Sequence, residues 1–203
     1  MNLSEDRIKT IALRFLKGYY KFRPRMGETQ VRKDMQARGG IIIDGILKYK
    51  DDKNKEFLAT VEATSVDKIE EVKYTVQWHL MFWDGLAFSL MMVAFLKSFA
   101  YESNMFTIKH IGLWANVGIL LGSVMLLWML YFLIFRFFSR YRYIYAVEQF
   151  KRYHADEQWI AMAEDVFNNP ENPYLKELKH QCVYNGFGLV MIDTDEEAHL
   201  HIT

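Results

Sequence analysis

The sequence predicts an α/β protein in which a mixed sheet flanked by helices is interrupted by a helical hairpin long enough to cross a bilayer. Three observations lead there. Residues 78–96 and 111–135 are two long apolar runs, and a hydrocarbon core of ~30 Å needs about 20 helical residues at 1.5 Å rise each. Both flanks are hydrophilic, so the mean hydropathy of −0.08 averages two unlike kinds of chain. The flanks also read as one sheet-forming domain, because an apolar strand-like run near the end has only helix-like segments between it and the hairpin. The expected division is a discontinuous cytoplasmic domain, 1–77 with 136–203, and a transmembrane hairpin, 78–135.

Each element has a local cause. Ser4 is placed to cap a helix in which Ile8, Ile11, Ala12, Phe15 and Tyr19 recur at three- and four-residue spacing. Pro24 ends it, since proline disfavours helix in the residue before it. Thr29, Val31 and Lys33 share one face of a first strand within 28–38. After a Gly39-Gly40 turn, 41–50 reads as a second strand and 56–65 as a third, joined by a hairpin at 51–54. Beyond the spans, 143–153, 156–167 and 173–185 are expected as helices, the last stopped by Gly186. The wholly apolar 189–192 reads as a buried strand whose partners are the strands before the hairpin, and 199–202 as an edge strand.

Charge sets the compartment. Residues 1–25 are charged from the first turn and lack the apolar run of a secretory signal. Lys68 and Lys73 precede the first span and Arg136, Arg140 and Arg142 follow the second, whereas the loop at 97–110 carries only Lys97 and Lys109. Positive charge stays inside, so a multi-pass protein of the inner or plasma membrane is expected, with both termini cytoplasmic. The single Cys182 excludes an internal disulfide and a cysteine metal cluster. Residues 1–50 hold 12 Lys/Arg against 5 Asp/Glu, while 156–203 hold 2 Lys against 10 Asp/Glu. These halves are expected to attract each other within one fold or to set the basic half against anionic lipid, a nucleic-acid groove being the other explanation.

Within the spans, Asp84 is an expensive residue, expected opposite the hydroxyl of Ser123 on the second helix as a packing contact. Gly118 and Gly122 form a G-x-x-x-G that lets helix backbones approach, within the hairpin or between copies. Trp78 and Trp114 suit the membrane interface, and Trp83 and Trp128 suit packing. His199 and His201 share a strand face without a third ligand in view, and read as surface histidines.

One constellation carries chemistry. Asp44 closes Gly40-Ile41-Ile42-Ile43-Asp44 on the second strand, and Glu62 lies in Ala59-Thr60-Val61-Glu62-Ala63-Thr64 on the third. Gln149-Phe150-Lys151-Arg152-Tyr153 follows the spans. In the order helix, three strands, helix, strand, these segments resemble the restriction-endonuclease-like PD-(D/E)xK superfamily, and the Gln149 and Tyr153 spacing resembles the Q-h-x-x-Y pattern of its RecB-like branch. The resemblance implies that Asp44 and Glu62 are metal-binding acids, that Gln149 and Tyr153 accompany them, and that Mg²⁺ is the cofactor of an active member. Two carboxylates on neighbouring strands do supply the hard oxygens that Mg²⁺ prefers. The family's lysine, two residues after the second acid, is here Thr64. A neutral side chain cannot stabilise developing negative charge, and loss of one such donor costs ~10²- to 10³-fold in rate. Lys48 or Lys50 would be the migrated substitutes.

The expectation is thus a membrane-anchored cytoplasmic binding or assembly module on an inactive nuclease-like scaffold, requiring no cofactor. Its partners would be lipid and either a second copy or other subunits of a membrane complex. Two alternatives stand beside it. One is a membrane-tethered, metal-dependent endo- or exonuclease with nucleic acid as partner. The other is a subunit of a transporter, secretion machine or ion-conducting motor, with Asp84, Asn116 and Ser123 as a polar lining.

Overall fold

The computed structural model describes residues 3–24, 26–36, 40–102, 112–167, 169 and 171–202. The chain is a mixed α/β protein with, among the described residues, a six-stranded mixed sheet flanked by helices and two helices long and apolar enough to cross a membrane. It divides into two compact units, Met1–Tyr74 with Ile144–Thr203, and Thr75–Tyr143.

The first unit begins with α1 (Glu5–Tyr19), which continues as a short 3₁₀ turn at Tyr20–Phe22 before Pro24. Ser4 makes its cap through the backbone alone, its carbonyl accepting from the Arg7 and Ile8 amides at 3.0 Å each. The apolar stripe buries Ile8, Ile11, Leu13 and Leu16, each worth roughly 1.5–3 kcal/mol when fully covered. Strands β1 (Met26–Gln36), β2 (Ile42–Lys50) and β3 (Glu56–Thr64) form an antiparallel meander, turned between β2 and β3 at Asn54 with φ 60°. The expected glycine turn falls partly on Gly39, outside the described residues; Gly40 has φ 80°.

The expected helix at 156–167 is a strand. β6 (Glu157–Ala163) pairs in parallel with β3 and is followed by a 3₁₀ turn at Glu164–Val166. Trp159 to Ala163 are all buried, and a strand covered on both faces shows no alternation that would separate it from a buried helix. The expected partners of 189–192 change in consequence. β7 (Gly188–Ile192) pairs in parallel with β6 and antiparallel with the edge strand β8 (Ala198–Ile202), so it reaches the N-terminal meander only through β6. The sheet order is β1-β2-β3-β6-β7-β8. Helix α4 (Tyr145–Phe150) is shorter than the expected 143–153, and α5 (Pro173–Asn185) stops at Gly186, whose φ of 71° is the left-handed cap. Among the described residues, Arg7 pairs with Glu196 at 2.5 Å and Arg23 with Glu157 at 2.6 Å, joining the basic N-terminal to the acidic C-terminal segments of this unit.

The second unit contains α2 (Trp78–Glu102) and α3 (Leu113–Phe135). A two-stranded sheet pairs β4 (Tyr74–Val76) with β5 (Arg142–Ile144). The helices approach at Gly85, where a Cβ would stand 2.9 Å from the Tyr131 ring and 3.0 Å from that of Trp128. Residues 103–111, which include Lys109 and the expected first residue of the second span, lie outside the described residues.

Candidate functional site

Adjacent strands bring the two acids together. Asp44 and Glu62 lie one step beyond the Gly45–Val61 pair of the β2–β3 ladder, and Asp44 Oδ2 accepts the Ala63 backbone N–H at 2.8 Å. From α4, the Gln149 amide donates to Glu62 Oε1 and to the Ile42 carbonyl, the latter at 3.0 Å. Asp44, Glu62 and Gln149 therefore line one cleft of about 650 Å³. Tyr153, past the end of α4, does not line it, although its buried hydroxyl is raised above the usual phenol range by burial and then by the charge of Glu62.

The cleft contains a lysine that the motif reading misses. Helix α1 presses onto β2 because Gly45 has no side chain: a Cβ there would stand 2.9 Å from Leu13. One turn earlier Lys9 is 7% exposed, and its Nζ lies 2.8 Å from Asp44 Oδ1, 2.7 Å from Asp34 Oδ1 and 2.9 Å from Glu5 Oε1. Burial works against the ammonium, but the bonds to Asp34, Asp44 and Glu5 outweigh it and raise Lys9 above its ordinary range. Lys68 completes the charge pattern by pairing with Glu5 at 2.7 Å. Burial also disfavours the Glu5 carboxylate, yet Lys68 and Lys9 hold it below the usual range. Glu71, at the end of a 3₁₀ turn spanning Val66–Glu71, faces the same cleft. Lys48 and Lys50 do not line it, and Lys48 pairs with Glu56 at 2.9 Å.

Glu62 has the opposite electrostatic fate. It is 4% exposed, and burial, followed by the charge of Asp44 beside it, pushes its carboxyl up to about 9. As a carboxylate, its Oε2 is buried without a hydrogen-bond partner. Protonated, Glu62 becomes a donor that Asp44 can accept, and the raised value keeps Glu62 uncharged at neutral pH.

A divalent ion fits this arrangement poorly. Of the four oxygens on Asp44 and Glu62, Asp44 Oδ1 meets Lys9, Asp44 Oδ2 meets the Ala63 amide and Glu62 Oε1 meets Gln149; Glu62 Oε2 alone is open. An ion held by Asp44 would stand within ~4 Å of the Lys9 ammonium, a repulsion on the order of 8 kcal/mol at an effective dielectric near 20. Thr64, two residues after Glu62, is fully buried, and its hydroxyl makes no hydrogen bond.

The polar residues of the hairpin also find partners other than those expected. Asp84 Oδ2 accepts from Arg140 at 2.9 Å and from the Tyr141 hydroxyl at 2.9 Å, and Tyr141 meets Tyr131 at 2.5 Å. Ser123 does not reach Asp84; its hydroxyl donates back to the Ile119 carbonyl at 2.8 Å. Gly118 and Gly122 have open space where a Cβ would be, so the G-x-x-x-G face is not the surface that α2 covers. His199 has Asp193 as neighbour at 3.1 Å with Glu197 nearby, but Asp193 Oδ1 already caps the turn by accepting the Asp195 and Glu197 amides, each at 2.9 Å.

Lys9, Glu5, Asp34, Lys68 and Glu71 lie outside the motif spacing. One signal for Lys9 is present in the sequence: it sits three, four and seven residues before Ala12, Leu13 and Leu16, on the stripe that α1 buries. No protein-family model, no curated protein and no solved structure matches this chain.

Proposed function

We propose that the protein is a multi-pass protein of the inner or plasma membrane. Its cytoplasmic unit would be a restriction-endonuclease-like scaffold kept for binding and assembly, without nuclease turnover. The observation that carries this is the commitment of Asp44: its two oxygens are engaged by Lys9 and by the Ala63 amide, and Thr64 stands where the motif needs a lysine. A site that satisfies its own charges has no need of a metal to fold, and without a free acid pair it cannot activate water.

Membrane insertion is supported by exposure. Only 22% and 11% of the most apolar windows of α2 and α3 are buried, whereas a core helix of a soluble protein is mostly buried. Leu90, Met91, Phe95, Leu121, Met125 and Leu126 are each more than half exposed, an apolar surface that lipid would cover. The partners proposed are lipid together with a second copy or other subunits of a membrane complex.

The test is isolation of the full chain from its native membrane. Resistance to alkaline extraction and a stoichiometric co-purifying subunit, with DNA and RNA left intact in Mg²⁺ or Mn²⁺, are the expected results. Cleavage abolished by Asp44→Ala and by Glu62→Ala would overturn the loss of turnover, and release by alkali would overturn the anchor.

A membrane-tethered Mg²⁺-dependent nuclease is the second reading, favoured by the same Lys9, since a lysine does stand beside Asp44. In that case Lys9→Met would abolish a cleavage that the wild type performs.

A further inference from the structure

We infer that the Lys9 ammonium is the resident cation of the cleft, standing where Glu5, Asp34 and Asp44 would otherwise hold a divalent, oxygen-preferring metal ion. It follows that Lys9→Met opens such a site. The inference deepens the inactive-scaffold proposal and rests on it.

Three elements send one carboxylate each to a single point: Glu5 from α1, Asp34 from β1 and Asp44 from β2. The distances to Lys9 Nζ are 2.9, 2.7 and 2.8 Å, one for each N–H donor of an ammonium. Ca²⁺ takes carboxylate oxygens at about 2.3–2.6 Å. Each oxygen would then have to move inward by only ~0.1–0.6 Å.

The arrangement has two costs that an ordinary helix face would avoid. Lys9 is almost wholly buried on a stripe it shares with Ala12, Leu13 and Leu16. Asp34 holds φ 50°, a left-handed conformation uncommon for residues other than glycine, within a β-strand. Both are accounted for if a positive charge is required at that point. Glu62 gives an independent indication that a cation is favoured here. It lines the same cleft, is 4% exposed, and its Oε2 is buried without a hydrogen-bond partner, so a bound ion that displaced the Glu62 proton would find a fourth ligand there. Removing the ammonium removes, among the described residues, the one positive charge that touches Glu5, Asp34 and Asp44 together; Lys68, 2.7 Å from Glu5, remains at the edge of the cleft.

The experiment uses the full chain in detergent micelles, freed of metal by chelation. Mn²⁺ is titrated and followed by its electron paramagnetic resonance signal, and thermal unfolding is recorded with and without Mn²⁺ or Ca²⁺. The wild type should bind Mn²⁺ at least ten-fold more weakly than Lys9→Met, and only the variant should melt higher when the ion is added. Asp44→Asn in the Lys9→Met background should abolish both effects. Wild-type binding as tight as the variant's would overturn the inference. So would a Lys9→Met protein that Mn²⁺ neither binds nor stabilises, including one that remains unfolded with the ion present. Failure of the scaffold proposal reads out separately, as cleavage of nucleic acid by the wild type.

Discussion

Glu62→Gln should stabilise the protein at neutral and alkaline pH, although it deletes one of the two acids that define the cleft. The carboxyl of Glu62 moves from an ordinary value of 4.5 to about 9 on folding, through burial first and then the charge of Asp44. Below pH 4.5 it is protonated in the folded and unfolded chain alike and contributes nothing. Between 4.5 and 9 the unfolded chain releases the proton and the folded chain keeps it, so each pH unit costs the native state about 1.4 kcal/mol. At pH 7 the cost is on the order of 3 kcal/mol, and glutamine, which never ionises, is free of it. For a chain of this size about 2–4 °C accompanies each kcal/mol, so the melting temperature should rise by roughly 6–12 °C at pH 7 and by far less at pH 5. Thermal unfolding of the full chain in detergent micelles, followed by circular dichroism between pH 5 and 8.5, measures this directly. A variant less stable than wild type at pH 8, or a gain equal at pH 5 and pH 8, would refute the buried, proton-retaining Glu62.

Two further substitutions test the packing. Gly188→Ala would place a Cβ 2.1 Å from the Trp159 ring, deep in the sheet, and should cost ~1–3 kcal/mol by overpacking; an unchanged melting temperature would contradict the β6–β7 contact. A Cβ added at Gly122 meets nothing within 4 Å, so Gly122→Ile should shift thermal unfolding by less than about 0.5 kcal/mol, while cross-linking between copies should fall if that face is a helix–helix contact. Undiminished cross-linking would remove the G-x-x-x-G from consideration as the oligomer surface.

What the sequence discloses depends on whether a residue's role is set by its neighbours in the chain. Helix α1 has its stripe and its proline stop, α5 has Gly186, and β2 and β3 have a short polar turn between apolar runs, so all four are legible locally. β6 is not. Glu157, Gln158, Ala161, Met162 and Ala163 are good helix formers by propensity, and what makes them a strand is the open edge of β3, which belongs to a remote part of the chain. With 157–163 taken as helix, the N-terminal meander is the only partner the sequence offers β7, whereas the structure places β6 between them. The site divides in the same way. Asp44, Glu62 and Gln149 were found by strand context and spacing, whereas Lys9 acts from another element, and only its place among buried leucines marks it. In the hairpin, simple antiparallel facing selected Ser123 as partner for Asp84; the turn after α3 supplies Arg140 and Tyr141 instead.

The pairing of β3 with β6 has a consequence for how the protein is made. The last residue of β3 leaves the ribosome 93 residues before the first of β6, a delay of roughly 5–20 s at ordinary elongation rates. Throughout that interval the nascent N-terminal meander carries an exposed hydrogen-bonding rim along β3, the kind of surface that recruits stray strands. Biogenesis therefore proceeds in an imposed sequence: three strands must wait, unsealed, while both greasy helices are synthesised. If the two helices enter a membrane as proposed, a slowed insertion step would lengthen the wait and show itself as aggregation of the sheet-bearing unit.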